Sequence, residues 1–205
     1  MTNISENRKI PWINFLDNIK LLGVMISKNL KWNENTSLIC DKVNKKYYIL
    51  NRLKNFGFTK EELIIAWNTI LRPVTEYAAP LWHSGLSKAE NRSLEALQKK
   101  ALGIIFGIKY ENNRRLYTIN NSLLPYNEAL EKLKLTSLEE RRETLTSNFA
   151  LQIINNENHR DIFQERKQSI NLRNKPRIKE VHCNTERYKN SAVPYMAKIL
   201  NRINF

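Results

Sequence analysis

From Asn33 to Gly57 apolar side chains recur at spacings of three and four: Ile39, Val43, Leu50 and Leu53, with Tyr47 between them. Lys42, Lys45, Lys46 and Arg52 fall mostly beside that stripe. Such a period with a charged flank predicts an amphipathic helix, and Gly57 supplies its stop. The next segment, TKEELIIAWNTIL, opens with Thr59 and Glu62 at capping-box spacing, and KAENRSLEALQKKALGIIFG follows Ser87 and carries Glu90 in the same relation. In the latter, Leu94, Leu97, Ala101, Ile104 and Ile105 form one stripe, Arg92 and Lys99 share the opposite face, and Gly107 closes the helix. Three more helices are predicted. One is short and starts at Pro125, one covers 138–153 behind a Ser137/Glu140 capping box, and one covers 192–203 with Val193, Met196, Leu200 and Ile203 on one face.

Two stretches depart from the helical period. Residues 12–26, WINFLDNIKLLGVMI, read as extended, and in IKLLGVMI the apolar residues fall on both faces, the pattern of a strand in a sheet covered on both sides. No later segment supplies that sheet, so the chain reads as the tail of something larger. Residues 109–122 are polar and read as a loop. The expected fold is therefore mainly α: a multi-helix bundle with a short N-terminal β-strand or hairpin. It divides into an extended segment over 1–32, a helical body over 33–158, and a basic connection with a final helix over 159–205. Within the last part, residues 166–179 hold six basic residues and no acidic one, as a solvated basic connection does.

The stretch LRPVTEYAAPLWHSGL, residues 71–86, crowds two prolines, a Glu-Tyr pair, a tryptophan and a histidine into what begins as a helix. Pro73 is expected to kink that helix or start a new one, and Pro80 to limit its continuation. Glu76, Tyr77 and Trp82 are then structural, pinning the bend to the core, and His83 is a structural histidine rather than a general base. On the helix over 138–153, Leu138, Leu145, Phe149 and Ile153 define a face, and Arg142 falls within it. A guanidinium on an apolar face requires a partner. Glu76 is a candidate, in a pair that would lock the Pro73 helix to this one; otherwise Arg142 snorkels to the surface or faces a phosphate.

Composition narrows the function classes. A formal charge of +14 over 205 residues favours a polyanionic partner. Asn, Lys and Ile together make about a third of the chain, so AT-rich coding accounts for part of the lysine, but 14 of the 34 basic residues are arginine. The only aspartates are Asp17, Asp41 and Asp161, too dispersed for a two-metal carboxylate site. No G-x-S-x-G, P-loop or G-x-G-x-x-G occurs. Cys40 and Cys183 lie in no metal-binding spacing and read as unpaired thiols of a reducing compartment. No secretory signal or membrane span is read, so an intracellular place is expected, without membrane or small-molecule partners.

The order of segments carries a resemblance. IKLLGVMISKNLKWNENT, ICDKVNKKYYILNRLKNFGF, LIIAWNTILRPVTEYAAPLWHSGLS, LEALQKKALGIIFG, YNEALEKLKLTSLEERRETL and TERYKNSAVPYMAKILN together resemble the C-terminal half of reverse transcriptases from non-LTR retrotransposons of the LINE or jockey-like type, over residues 18–202. The resemblance implies that KLLGV is the primer-grip strand, with Leu22 and Gly23 at the grip, and that the helices form a thumb and connection. It implies a template-primer RNA/DNA duplex held by Lys42, Lys45, Lys46, Arg52, Arg92 and Lys99, in a ribonucleoprotein of the nucleus or cytoplasm. The family's catalytic Tyr- or Phe-x-Asp-Asp turn does not occur here. The catalytic aspartates, and the Mg2+ they hold, are expected in palm and fingers sequence of the same polyprotein before residue 1. The chain is not expected to polymerise DNA alone and needs no cofactor of its own. The alternatives are a free-standing, element-derived helical module that binds nucleic acid or protein, and a decayed copy without function.

Overall fold

The computed structural model describes residues 16–164 and 178–203. These form a mainly helical protein with a short N-terminal antiparallel hairpin. Strands Asn18–Leu21 (β1) and Val24–Ser27 (β2) pair with Leu21 opposite Val24, leaving Leu22 and Gly23 as a two-residue turn. Both turn residues have positive φ, 46° and 86°, which matches the twist of the flanking strands. The doubly buried strand expected over 12–26 is not what forms. A turn sits inside the apolar run, so Val24 points into the core while Ile19, Leu21 and Leu22 remain exposed. Residues 12–15 of that stretch lie outside the described residues.

Helix Asn33–Asn55 (α1) buries Ile39, Val43, Tyr47 and Leu50, the stripe the spacing predicts, and Gly57 follows at φ 86°. The capping box at Thr59 and Glu62 starts Lys60–Ala66 (α2). The chain then passes through one π-helical turn, Trp67–Leu71, into Arg72–Glu76 (α3). Proline at 73 lacks an N–H, and its ring crowds the carbonyl four residues back. The wider turn, in which the Arg72 N–H reaches back to the Trp67 carbonyl, accommodates it without breaking the helix. The stop comes instead at Tyr77 (ψ 125°) and Ala78 (φ 52°). Pro80 does not end a helix; it lies in the first turn of Ala79–Trp82 (α4), before a 3-10 turn at His83–Gly85.

Ser87 and Glu90 form the capping box of Lys88–Phe106 (α5), which packs against α1; the Tyr47 hydroxyl donates to the Leu97 carbonyl at 2.6 Å. The predicted loop over 109–122 is a three-stranded antiparallel sheet: Ile108–Glu111 (β3), Arg114–Ile119 (β4) and Ser122–Leu124 (β5). Its turns are Asn112-Asn113 (φ 47° and 60°) and Asn120-Asn121 (φ 47° and 62°). Asparagine tolerates left-handed backbone, so these dipeptides make tight hairpin turns. Tyr117 and Ile119 of β4 are buried in the main core.

Tyr126–Lys132 (α6) follows Pro125, and the Ser137/Glu140 capping box opens Leu138–Asn155 (α7). The buried face of α7 is Leu138, Arg142, Thr146, Ala150 and Ile153, rotated from the predicted one, and Phe149 is 42% exposed. After a 3-10 turn at Arg160–Ile162 and the short Glu186–Lys189 (α8), Ala192–Ile203 (α9) buries Met196, Ala197, Ile199 and Leu200. Val193 and Ile203, expected on that face, are 37% and 47% exposed. Burial on α7 and α9 follows the direction of the neighbouring helix rather than the greatest local apolarity. Most of the basic stretch 166–179 lies outside the described residues; its last two members are seen, with Ile178 buried and Lys179 donating its N–H to the Gln164 carbonyl.

Two apolar clusters result. The larger gathers Val24, Leu50, Trp67, Leu71, Trp82, Leu94, Leu102, Tyr117 and Leu138. The smaller joins Ala150 and Ile153 of α7 to Phe163, Ile178, Met196, Ala197 and Leu200. Because α7 contributes to both, it ties the C-terminal helix to the body.

Candidate nucleic-acid interface

The hairpin is held against the helices at two points. The Met25 N–H donates to Asn35 Oδ1 at 3.1 Å, and the Tyr77 hydroxyl donates to the Leu22 carbonyl at 2.8 Å. The tyrosine ring lies directly over the turn, since a Cβ on Gly23 would sit 3.3 Å from Tyr77 Cε1. Glycine therefore serves both the positive φ and the close approach.

Between the hairpin tip, α1 and the bend at Pro73 runs an open groove of about 740 Å3. Lys42, Lys45, Lys46 and Tyr48 of α1 line one wall, Gly23 and Tyr77 an end, and Ile39, Ile70, Pro73 and Val74 supply apolar lining. No carboxylate and no histidine lines it. Among the described residues no ion pair engages Lys42, Lys45 or Lys46. Three positive charges beside an apolar surface, with no carboxylate in the lining, make a surface suited to an anion that also carries apolar area.

Six of the residues singled out from the sequence thus meet here: Gly23, Lys42, Lys45, Lys46, Pro73 and Tyr77. The others do not join them. Leu22 stands at the hairpin tip, 84% exposed. Arg52 lies further along α1 over the Phe56 ring, 5.4 Å from its centroid. Arg92 is exposed on α5, and Lys99 is directed over Tyr126 at 4.7 Å, so neither lines the groove. Tyr48, Ile70 and Val74 escaped the sequence reading. Tyr48 had a weak signal, because it is an aromatic residue off the apolar stripe of α1 and near Lys45, in the interleaving of rings and lysines that nucleic-acid surfaces use. Ile70 and Val74 had none, since the π-helical turn sets their direction.

Beside the groove lies a polar cluster that holds the bend. The expected Glu76–Arg142 pair is not present. Glu76 is gripped by Arg141, through Nε at 2.5 Å and Nη2 at 3.0 Å, and Arg72 Nε stands 3.4 Å away. One residue is about 100° of helix rotation, enough to exchange the two arginines. Hydrogen bonding to Glu76 holds the Arg141 guanidinium above its ordinary pKa. Arg142 is fully buried, donating from Nη2 to Asn91 Oδ1 at 2.9 Å and from Nε towards His83 Nδ1 at 3.5 Å, with its cation 5.8 Å from the Trp82 ring. Burial lowers its pKa, and Glu95, Glu139 and Glu76 oppose the shift. Desolvation, followed by the Arg142 charge, pushes His83 down to about 4, so His83 is neutral at pH 7 and accepts rather than donates at Nδ1. Trp82 is buried and donates Nε1–H to the Tyr77 carbonyl at 3.0 Å. Glu76 and Trp82 thus pin the bend inward, whereas Tyr77, 57% exposed, pins it outward to the hairpin.

Cys40 and Cys183 are separate free thiols, and burial raises the pKa of Cys40. Among the described residues no three His, Cys, Asp or Glu side chains cluster as metal ligands, and no helix is long and apolar enough to cross a membrane. No family model, curated protein or solved structure matches the chain. The groove and its charges define a candidate polyanion-binding surface on a helical scaffold.

Proposed function

We propose that the chain is the thumb and connection part of a reverse transcriptase of the non-LTR retrotransposon kind, and that it grips a template-primer RNA/DNA duplex through the basic wall of α1. Palm and fingers sequence of the same polyprotein carries the polymerase chemistry in this reading. The observation that carries the binding role is the groove itself, where Lys42, Lys45 and Lys46 stand beside the hairpin tip with no carboxylate in the lining. The family assignment rests on the order of segments. A hybrid duplex has a wide, shallow minor groove lined by sugar hydroxyls, which a helix and a hairpin tip can follow by shape and phosphate contact without reading bases.

The test is binding of the chain to an RNA/DNA hybrid, a DNA duplex and heparin over a salt series. Lys42→Glu with Lys46→Glu is compared with a charge-matched pair outside the groove, Lys88→Glu with Lys132→Glu. The expected result is preference for the hybrid, with the groove pair lowering the log-log salt slope by about 2, at about 0.9 per lost phosphate contact. The charge-matched pair should leave most of the slope intact. Equal binding to all three polyanions, or equal loss in both double variants, would reduce the interface to net charge and remove the duplex-grip reading.

A further inference from the structure

We propose that the groove between the hairpin tip and α1 receives an unpaired nucleotide, with its base against Tyr48 and the apolar lining and its flanking phosphates on Lys42, Lys45 and Lys46. This rests on the nucleic-acid reading above and names the part of the ligand that the groove takes.

Two features of the groove require more than a duplex backbone. First, Ile39, Ile70, Pro73 and Val74 give it an apolar lining. A paired duplex presents sugars, phosphates and base edges, and would leave that surface without a matching partner. An unpaired base offers a π-face, and single-stranded nucleic acid is held where aromatic rings lie beside a cationic track. Second, Tyr48 is 66% exposed and, among the described residues, its hydroxyl makes no hydrogen bond. Its ring stands free at the wall that carries the lysines. Lys42 and Lys46 are one helical turn apart, about 6 Å along the axis, which suits neighbouring phosphates of an extended strand.

The same charge pattern would attract an acidic amphipathic helix, and the short extent of the apolar lining argues against that occupant. Such a helix lays anchors at successive turns along a groove, whereas the apolar lining here is confined to Val24, Ile39, Ile70, Pro73 and Val74 beside Tyr48. A flat base with one or two phosphates matches the apolar lining and the charge together.

The experiment uses fluorescence anisotropy with the full chain and three hybrids sharing one duplex: blunt, with a four-nucleotide single-stranded overhang, and with an abasic overhang of the same length. The overhang should tighten binding about tenfold, within the range for stacking of a single base on an aromatic side chain. The abasic overhang should give little of that gain, and Tyr48→Ala should bring the ratio of overhang to blunt-hybrid affinity down to about one. Tyr48 lies outside the core, so this variant keeps the fold. Equal binding of base-bearing and abasic overhangs would overturn the inference, and so would an acidic amphipathic peptide that binds through Tyr48 while the overhang gain survives Tyr48→Ala. If the blunt hybrid binds and the overhang adds nothing, the duplex grip stands and this inference fails. If only overhang-bearing or single-stranded ligands bind, the inference stands and the duplex grip fails.

Discussion

Arg141 and Arg142 are adjacent in sequence and differ in almost every physical respect. Arg141 is half-buried and bidentate on Glu76, whereas Arg142 is enclosed between Trp82, His83 and Asn91 with Nη1 unpartnered. Losing a charged hydrogen-bonding partner at a partly buried site costs about 1–3 kcal/mol, and breaking a buried charge network costs about 3–5 kcal/mol. Arg141→Ala should therefore lower stability by about 1–2 kcal/mol and Arg142→Ala by about 3–5 kcal/mol, read from urea midpoints at constant m.

His83 makes a pH prediction at the same scale. Its folded pKa, about 4, lies below the ordinary 6.5, so between those values the unfolded chain binds the extra proton. The contribution is complete above pH 6.5 and is lost as pH falls towards 4, up to about 3 kcal/mol for the full shift. Melting followed at pH 7 and pH 4.5 should show a drop in the native chain, and His83→Gln should flatten the part of the drop that belongs to this ring. A slope unchanged by the substitution would place the acid sensitivity elsewhere. That Arg142 is buried was legible from its place on α7. Its partner was not, because 100° of rotation separates two equally plausible arginines and only the packing of α3 on α7 selects one.

At the scale of elements, what was legible has short-range causes. The boxes at Thr59, Ser87 and Ser137 each link a hydroxyl to a backbone N–H three residues on, and such signals survive in any tertiary context. The β3–β4–β5 sheet was missed because its strands are polar and short, although the two Asn-Asn dipeptides announced hairpin turns. Asn113 has φ 60°. Asn113→Val should destabilise by about 1–2 kcal/mol through left-handed strain, while Asn113→Gly should be neutral or slightly stabilising. Thermal melts of the two variants check this; equal effects would mean that the side chain, and not the backbone, matters there. The π-helical turn before Pro73 was not legible, because a proline inside a helix can equally produce a kink, a break or a wider turn.

At the scale of the whole molecule, the charge of +14 is a property of composition, but an interface is a property of place. This is why the decisive comparison in the salt series is between two double variants of equal charge. Long-range attraction depends on the total and responds alike to both. Counterion release depends on which lysines face phosphates, and of the two pairs should respond mainly to Lys42 and Lys46.

By itself the sequence determined the mainly helical class, the capped helix starts, the buried stripe of α1 and the net positive charge, all of which follow from periodicity, local capping and composition. Only the tertiary structure decided that Gly23, Lys42, Pro73 and Tyr77 border one groove, that Arg141 takes Glu76, and that Arg92 and Lys99 lie apart from the groove. Local hydrogen bonds and period are set within a few residues. Which faces meet depends on how helices 20 to 70 residues apart pack, as the separation of 65 residues between Glu76 and Arg141 illustrates, and that is fixed by the shape of the shared core rather than by any segment alone.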